Sequence, residues 1–191
     1  MNNITFGLAI DYYFNDVLNV NFTSVDIVQI GNASDVLTRN NIRYWDVTDV
    51  TLMNNAFNSV SFNIDINDWD VSNVTNMNSM FMDCSGFNFS LTNWNVSSVT
   101  DMRNMFNGAL AFNESLADWD TSSVTYMTSM FEGCVLFNSE IGYWDVSNVT
   151  NMNRMFKGCL NFNQNLSDWD VTNVRDMSYM FNSCNAFNSN I

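Results

Sequence analysis

Six tryptophans cut this 191-residue chain into near-equal lengths: Trp45, Trp69, Trp94, Trp119, Trp144 and Trp169, spaced by 24, 25, 25, 25 and 25 residues. A beat of that size marks a repeat protein, in which one small unit stacks on copies of itself. Such a stack needs no central globular core, because each unit buries its apolar face against its neighbours. Whatever recurs therefore constrains the fold, and function is sought in whatever does not recur.

In the unit that begins at Trp144, the apolar residues Val149, Met152, Met155, Phe156 and Cys159 follow a three-residue rhythm. That spacing predicts a helical stripe of about three turns, with Ser147 or Asn148 as its N-cap. From Leu166 to Val171, Trp169 and Val171 alternate with Asp170, which predicts a short strand with Trp and Val inward. Each unit reads as strand, turn, short helix and return loop.

Indexing by the tryptophans also sorts the less common residues. Ten methionines form recurrent pairs, from Met77/Met80 to Met177/Met180, and are core filling rather than a metal or peptide surface. Cys84, Cys134, Cys159 and Cys184 each lie 15 residues after a Trp, where other units have Val60 and Ala109. A slot shared by Val, Ala and Cys is a small apolar site, so buried free thiols are expected in preference to disulfides. Every unit carries a Phe-Asn pair, placing Asn63, Asn88, Asn113, Asn138, Asn163 and Asn188 in one column. These amides are expected to be a buried structural ladder bonded to the backbone of neighbouring rungs. The chain has no Pro and only seven Gly, so its turns fall to Asn, Asp and Ser.

Residues 1–44 do not repeat; Phe6, Ile10, Tyr13, Phe14 and Leu18 have helical spacing, so a helical N-terminal cap is expected there. Residues 45–191 hold six repeats of 24 or 25 residues, the last incomplete. The sixth unit stops at Ile191, three residues short of the next expected Trp. Its bare rung, with Phe187 and Ile191, is a candidate assembly end where the protein continues, meets a partner or pairs with itself.

Net charge is −14, from 20 acidic and 6 basic residues. That balance argues against DNA or RNA, whose binding is dominated by neutralisation of phosphates. It argues equally against anionic membranes. No apolar run is long enough to span a bilayer, and Met1 to Phe6 does not have the basic start of a signal peptide. The chain has no His, which removes His-based acid–base and triad chemistry, and its many Ser and Thr have no base to activate them. A non-enzymatic protein without a cofactor is expected.

Two column sets carry alternatives. Asp46, Asp70, Asp120, Asp145 and Asp170 each follow a Trp, with Asn95 in the sixth place. These carboxylates are weak candidates for calcium, set against the plainer role of accepting hydrogen bonds within turns. Ser or Thr also recur at two slots, Thr48 to Thr172 and Thr51 to Thr150, which raises ice binding. The slots lie three apart where one face of a strand needs two, and the second column ends in Arg175. Nine Asn-X-Ser/Thr sequons occur, and Asn88 and Asn113 are expected to be too buried for modification.

The phrase Trp-Asp-Val-Ser-Asn-Val-Thr-Asn-Met-Asn-Ser-Met-Phe at 69–81, followed by Phe87-Asn88, resembles the 25-residue repeat of the BspA-like (DUF285) family, a divergent leucine-rich-repeat type. The match covers about 44–191, and Ala9 to Phe14 is similar to the family's helical cap. The resemblance implies adhesion or protein binding, at a cell surface or on a viral particle. Period and resemblance together predict an α/β chain: a leucine-rich-repeat-like right-handed solenoid with short parallel strands on one face, short helices on the other and a helical cap. The expected job is protein–protein interaction, adhesion or structural assembly, through a protein partner or self-association at the C-terminal end. A calcium-stabilised or ice-binding surface is the alternative.

Overall fold

The computed structural model describes residues 42–61 and 63–191. The cap expected over 1–44 lies outside them, apart from a single 3-10 turn at Ile42–Tyr44. From there the chain winds through rungs that stack with the period of the tryptophans. Each rung is a run of β-turns. In the unit after Trp144, turn hydrogen bonds run from Val149 N–H to Val146 O (2.9 Å), Met155 to Met152 (3.1 Å) and Lys157 to Arg154 (3.1 Å). They continue from Cys159 to Phe156 (2.9 Å), Phe162 to Cys159 (3.2 Å) and Trp169 to Leu166 (3.1 Å).

Neighbouring rungs are joined along one side. Met152, Arg154, Phe156 and Gly158 donate their N–H groups to Asp176, Ser178, Met180 and Asn182 of the next rung, at 2.8–3.0 Å. The parallel pairing amounts to one residue per rung, in the series Leu52, Asn76, Asp101, Tyr126, Asn151 and Asp176.

This overturns the expected α/β class and the leucine-rich-repeat-like solenoid of strands opposite helices. Among the described residues there is no α-helix and no extended strand. The segment predicted as helix, 149–159, is the one that carries the bonds between rungs. A β-turn closes between residues i and i+3, so a chain of turns brings apolar residues inward at nearly the helical spacing. Helix is excluded because alternate N–H groups are donated to the next rung and are not free for the carbonyl four residues back. The backbone agrees: Arg154 (φ 57°) and Gly158 (φ 77°) are left-handed, each third in a turn, as a type II turn requires. Every rung repeats the pair, from Asn55 and Ser59 to Tyr179 and Ser183. The expected strand at 166–171 is not formed either. Trp169 is buried and Asp170 exposed, but that stretch is a turn.

Burial holds the rungs together. Phe57, Phe81, Phe106, Phe131, Phe156 and Phe181 form a column with ring centroids 5.5–5.8 Å apart. Beside it Phe87, Phe112, Phe137, Phe162 and Phe187 stack at 5.8–6.2 Å. Each fully buried Phe contributes about 1.5–3 kcal/mol by leaving water, and the offset stacking adds to this. The inward methionines Met77, Met80, Met102, Met105, Met127, Met130, Met152, Met155 and Met180 are buried, whereas Met177, on the last rung, is 37% exposed and is not core filling. The tryptophans add a polar ladder: indole Nε1 of Trp69, Trp94, Trp119, Trp144 and Trp169 donates to the carbonyl of Ile42, Ile66, Leu91, Leu116 and Ile141 in the preceding rung. Among the described residues no buried side-chain nitrogen or oxygen is without a partner.

Candidate functional site

The asparagine column forms a ladder of side chain to backbone. Asn113, Asn138, Asn163 and Asn188 each donate their N–H to the carboxamide oxygen of Asn88, Asn113, Asn138 and Asn163, at 2.7–2.9 Å. Asn63 stands at the head of the column. The expected burial is corrected: all six are exposed. The bond uses only the carboxamide oxygen, directed along the stack, so the rest of the amide can face water. Asn88 and Asn113 are therefore not shielded from modification as expected.

The column after the tryptophans acts within its own turns. Asp46 Oδ1 accepts from Thr48 N–H at 3.1 Å and from its hydroxyl at 2.7 Å. Asp70, Asp120, Asp145 and Asp170 accept likewise from the N–H of Ser72, Ser122, Ser147 and Thr172. These are Asx-turns. The hydroxyls of Thr48, Ser72, Ser122 and Thr172, followed by the same residues' amides, hold the carboxyls of Asp46, Asp70, Asp120 and Asp170 below their usual range. Among the described residues no three His, Cys, Asp or Glu are grouped to hold a metal ion.

The Thr column lies on the bonded side. Thr75, Thr100 and Thr150 donate their hydroxyls to the carbonyl of the threonine one rung before, at 3.2–3.3 Å. Next to it Asp101, buried among the rungs, forms a two-point ion pair with Arg103 (2.9 and 2.6 Å). Hydrogen bonding to Asp101 holds the Arg103 guanidinium more firmly protonated, and the guanidinium lies over the Tyr126 ring at 5.1 Å. Arg103 and Tyr126, with Thr125, Thr128, Thr150, Asn151 and Arg175, line an open depression of about 450 Å³.

The four cysteines are free and buried, and each thiol lies 2.7–2.9 Å from the carbonyl of a Phe in the core column. Burial pushes the Cys84 thiol up to about 12 and raises Cys134, Cys159 and Cys184 as well. A thiol so placed is a packing group and not a nucleophile. The two residues of the candidate assembly end differ in kind. Phe187 is half-buried against the core, stacked on Phe181 at 4.1 Å, whereas Ile191 is 70% exposed.

One feature escaped the reading of the sequence. At the corner just after the Cys slot, Leu110, Leu136 and Leu160 stand 48%, 47% and 38% exposed on three successive rungs. Val135, half-buried, lies between them. Bonds from Ala111 to Ser85, Asn161 to Val135 and Ala186 to Leu160 (3.1–3.3 Å) carry the same corner through the flanking rungs. There the equivalent residues are Ser85-Gly86 and Asn185-Ala186. Leucine is thus not needed to build the corner. The sequence signal was present, as Leu110 and Leu160 in a slot that otherwise takes Ser61, Ser85, Val135 and Asn185, and as Leu136 in the next slot, otherwise Gly86, Ala111, Asn161 and Ala186, but only exposure separates such a leucine from a core residue.

Carboxylates precede and follow this stripe along the chain. Asp83 Oδ1 lies over Gly108, 2.3 Å from where a Cβ would stand. Glu114 and Glu140 follow Leu110 and Leu136 by four residues. Among the described residues none of these three forms an ion pair. Glu132 does, with Lys157 at 2.7 Å, and also accepts from Ser129. Its carboxyl is held below the usual range: partial burial opposes the charge, but the bonds from Lys157 and Ser129 outweigh it.

No curated protein and no solved structure matches the chain. The profile of the family described as "Mycoplasma protein of unknown function, DUF285" matches residues 26–134 and 111–191, which together span the six tryptophan-marked repeats. With that span, the chain belongs to the DUF285 family.

Proposed function

We propose that this chain is a non-enzymatic protein-interaction array, and that a partner polypeptide docks on the corner formed by Leu110, Leu136 and Leu160. The observation that carries this reading is the exposure of those leucines at a two-residue corner that Ser85-Gly86 and Asn185-Ala186 build equally well in the flanking rungs. Contiguous exposed apolar surface with a polar rim is characteristic of interaction sites, whereas isolated exposed apolar residues are ordinary. The stack suits such a role: its rungs are tied by hydrogen bonds about every second residue along one side, so the leucines are presented at fixed spacing with little ordering left to do on binding. The non-enzymatic half of the reading is supported by the lack of His, the buried thiols and the Asp side chains committed to their own turns.

The test is selection of displayed random peptides on the full chain, followed by affinity measurement on the chain and on its L110S/L136S/L160N variant. Clones that bind the chain and lose about tenfold or more on the variant are the expected result, in line with truncation of central apolar anchors. Clones that bind both equally, or a selection that yields none, would overturn it. Unchanged melting of the variant confirms that only the surface was altered.

A further inference from the structure

The carboxylates around the leucine stripe carry the reading further. We infer that the segment docking on Leu110, Leu136 and Leu160 is an amphipathic helix whose apolar face is bordered by lysine or arginine; this rests on the docking reading above.

The apolar strip is three rungs long, with Leu110 and Leu160 in one slot and half-buried Val135 between them, Leu136 beside it. Rungs joined by parallel pairing lie about 4.8 Å apart, so the outer leucines are separated by roughly 10 Å along the stack. An α-helix rises about 1.5 Å per residue, so apolar side chains at i, i+4 and i+7 span about 10.5 Å and match that length.

The rim decides the charge of the partner. Asp83 stands on the side by which the chain enters the corner, and Glu114 and Glu140 on the side by which it leaves. None of the three has a cationic partner among the described residues. Of the cations near the entering side, Lys157 is already paired with Glu132, and Arg154 lies over the Tyr179 ring. Glu114 and Glu140 belong to the rungs of Leu110 and Leu136, and Asp83 to the rung before them. Unpaired carboxylates on both sides of an apolar strip favour a partner with cations on both edges of its apolar face. A second copy of this chain, itself at −14, and an anionic bilayer are both repelled by the same rim.

The experiment uses three labelled synthetic helical peptides with one leucine face at i, i+4 and i+7, flanked by Lys, Gln or Glu. Binding to the full chain is followed by fluorescence anisotropy at low and at physiological salt. The Lys peptide is expected to bind at least about tenfold tighter than the Glu peptide and to weaken with salt. It should lose about tenfold on L110S/L136S/L160N. On D83N/E114Q/E140Q, which preserves shape, it should lose about threefold to tenfold together with most of its salt dependence. A Gln peptide that binds as tightly as the Lys peptide overturns the charge assignment and leaves the docking corner standing. A Lys peptide that binds no better than the Glu peptide, or one indifferent to the leucine variant, overturns the inference itself.

Discussion

Replacing glycine by alanine at two corners of the stack gives opposite signs, and the opposition reports directly on the backbone. Gly133 has φ +77°, and a Cβ built there meets nothing closer than Gly108 N at 3.7 Å and Gly108 Cα at 3.8 Å. The space is adequate, so the cost of Gly133→Ala is conformational. An L-residue held in the left-handed region costs roughly 1–2 kcal/mol, against about 0.4–1 kcal/mol recovered by restricting the unfolded chain. The expected net loss is about 1 kcal/mol. Gly86 has no left-handed φ, and a Cβ there meets nothing within 4 Å. Only the unfolded-state effect remains, so Gly86→Ala should gain about 0.4–1 kcal/mol. Had the segment around Gly133 been helical, alanine would have gained about 1 kcal/mol there too. The assay is urea unfolding followed by tryptophan fluorescence, with the slope checked for constancy. At this chain length 1 kcal/mol corresponds to roughly 2–4 °C in melting temperature. Stabilisation by Gly133→Ala, or equal signs for the two variants, would refute the turn assignment.

Four further outcomes follow from the same geometry. Trp144→Phe removes the indole donor and strands the buried Leu116 carbonyl; about 1–3 kcal/mol should be lost in urea unfolding, and a loss below about 0.5 kcal/mol would argue that the ladder is dispensable. The thiols, raised by burial, should resist an aromatic disulfide reagent in the folded chain and all four should react once urea unfolds it; rapid titration of the native protein would contradict their placement. Asp46, Asp70, Asp120 and Asp170 have lowered carboxyls when folded, so the stability they contribute is fully present above the ordinary value of 3.8 and is lost as pH falls from there through the folded values. Melting temperature followed from pH 6 to pH 2 should therefore fall mainly below about pH 4; a flat profile in that window would count against the Asx-turns. Since Oδ1 of each Asp already accepts its turn's N–H, a strong chelator should leave the melting temperature unchanged, and a drop of several degrees would restore the calcium reading.

How much of this was legible depends on the kind of residue. The tryptophan period is the offset of the bonds between rungs, as in Thr150 N–H to Thr125 O. The same indexing placed Phe131, Met152 and Cys159 inward, and all three are buried. Val149, Met152, Met155 and Cys159 nonetheless suggested a helix, because a chain of turns and a helix both return to the same side about every third residue. The asparagine column was visible as a column, but its exposure was not. The leucine stripe was missed because it is spread over two adjacent slots, Leu110 and Leu160 in one and Leu136 in the next, and neither slot has a recurrent residue type.

The order of the sequence determined the length of a rung, the identity of its inward residues and the balance of charge along its outer side, since these depend only on which residues recur at which spacing. The tertiary structure decided what backbone those residues adopt. Met152, Arg154, Phe156 and Gly158 could have bonded within their own segment or to the next rung, and local spacing is the same either way. Only the arrival of the neighbouring rung supplies acceptors along the stack, and once they are taken the chain must turn where a helix would have continued.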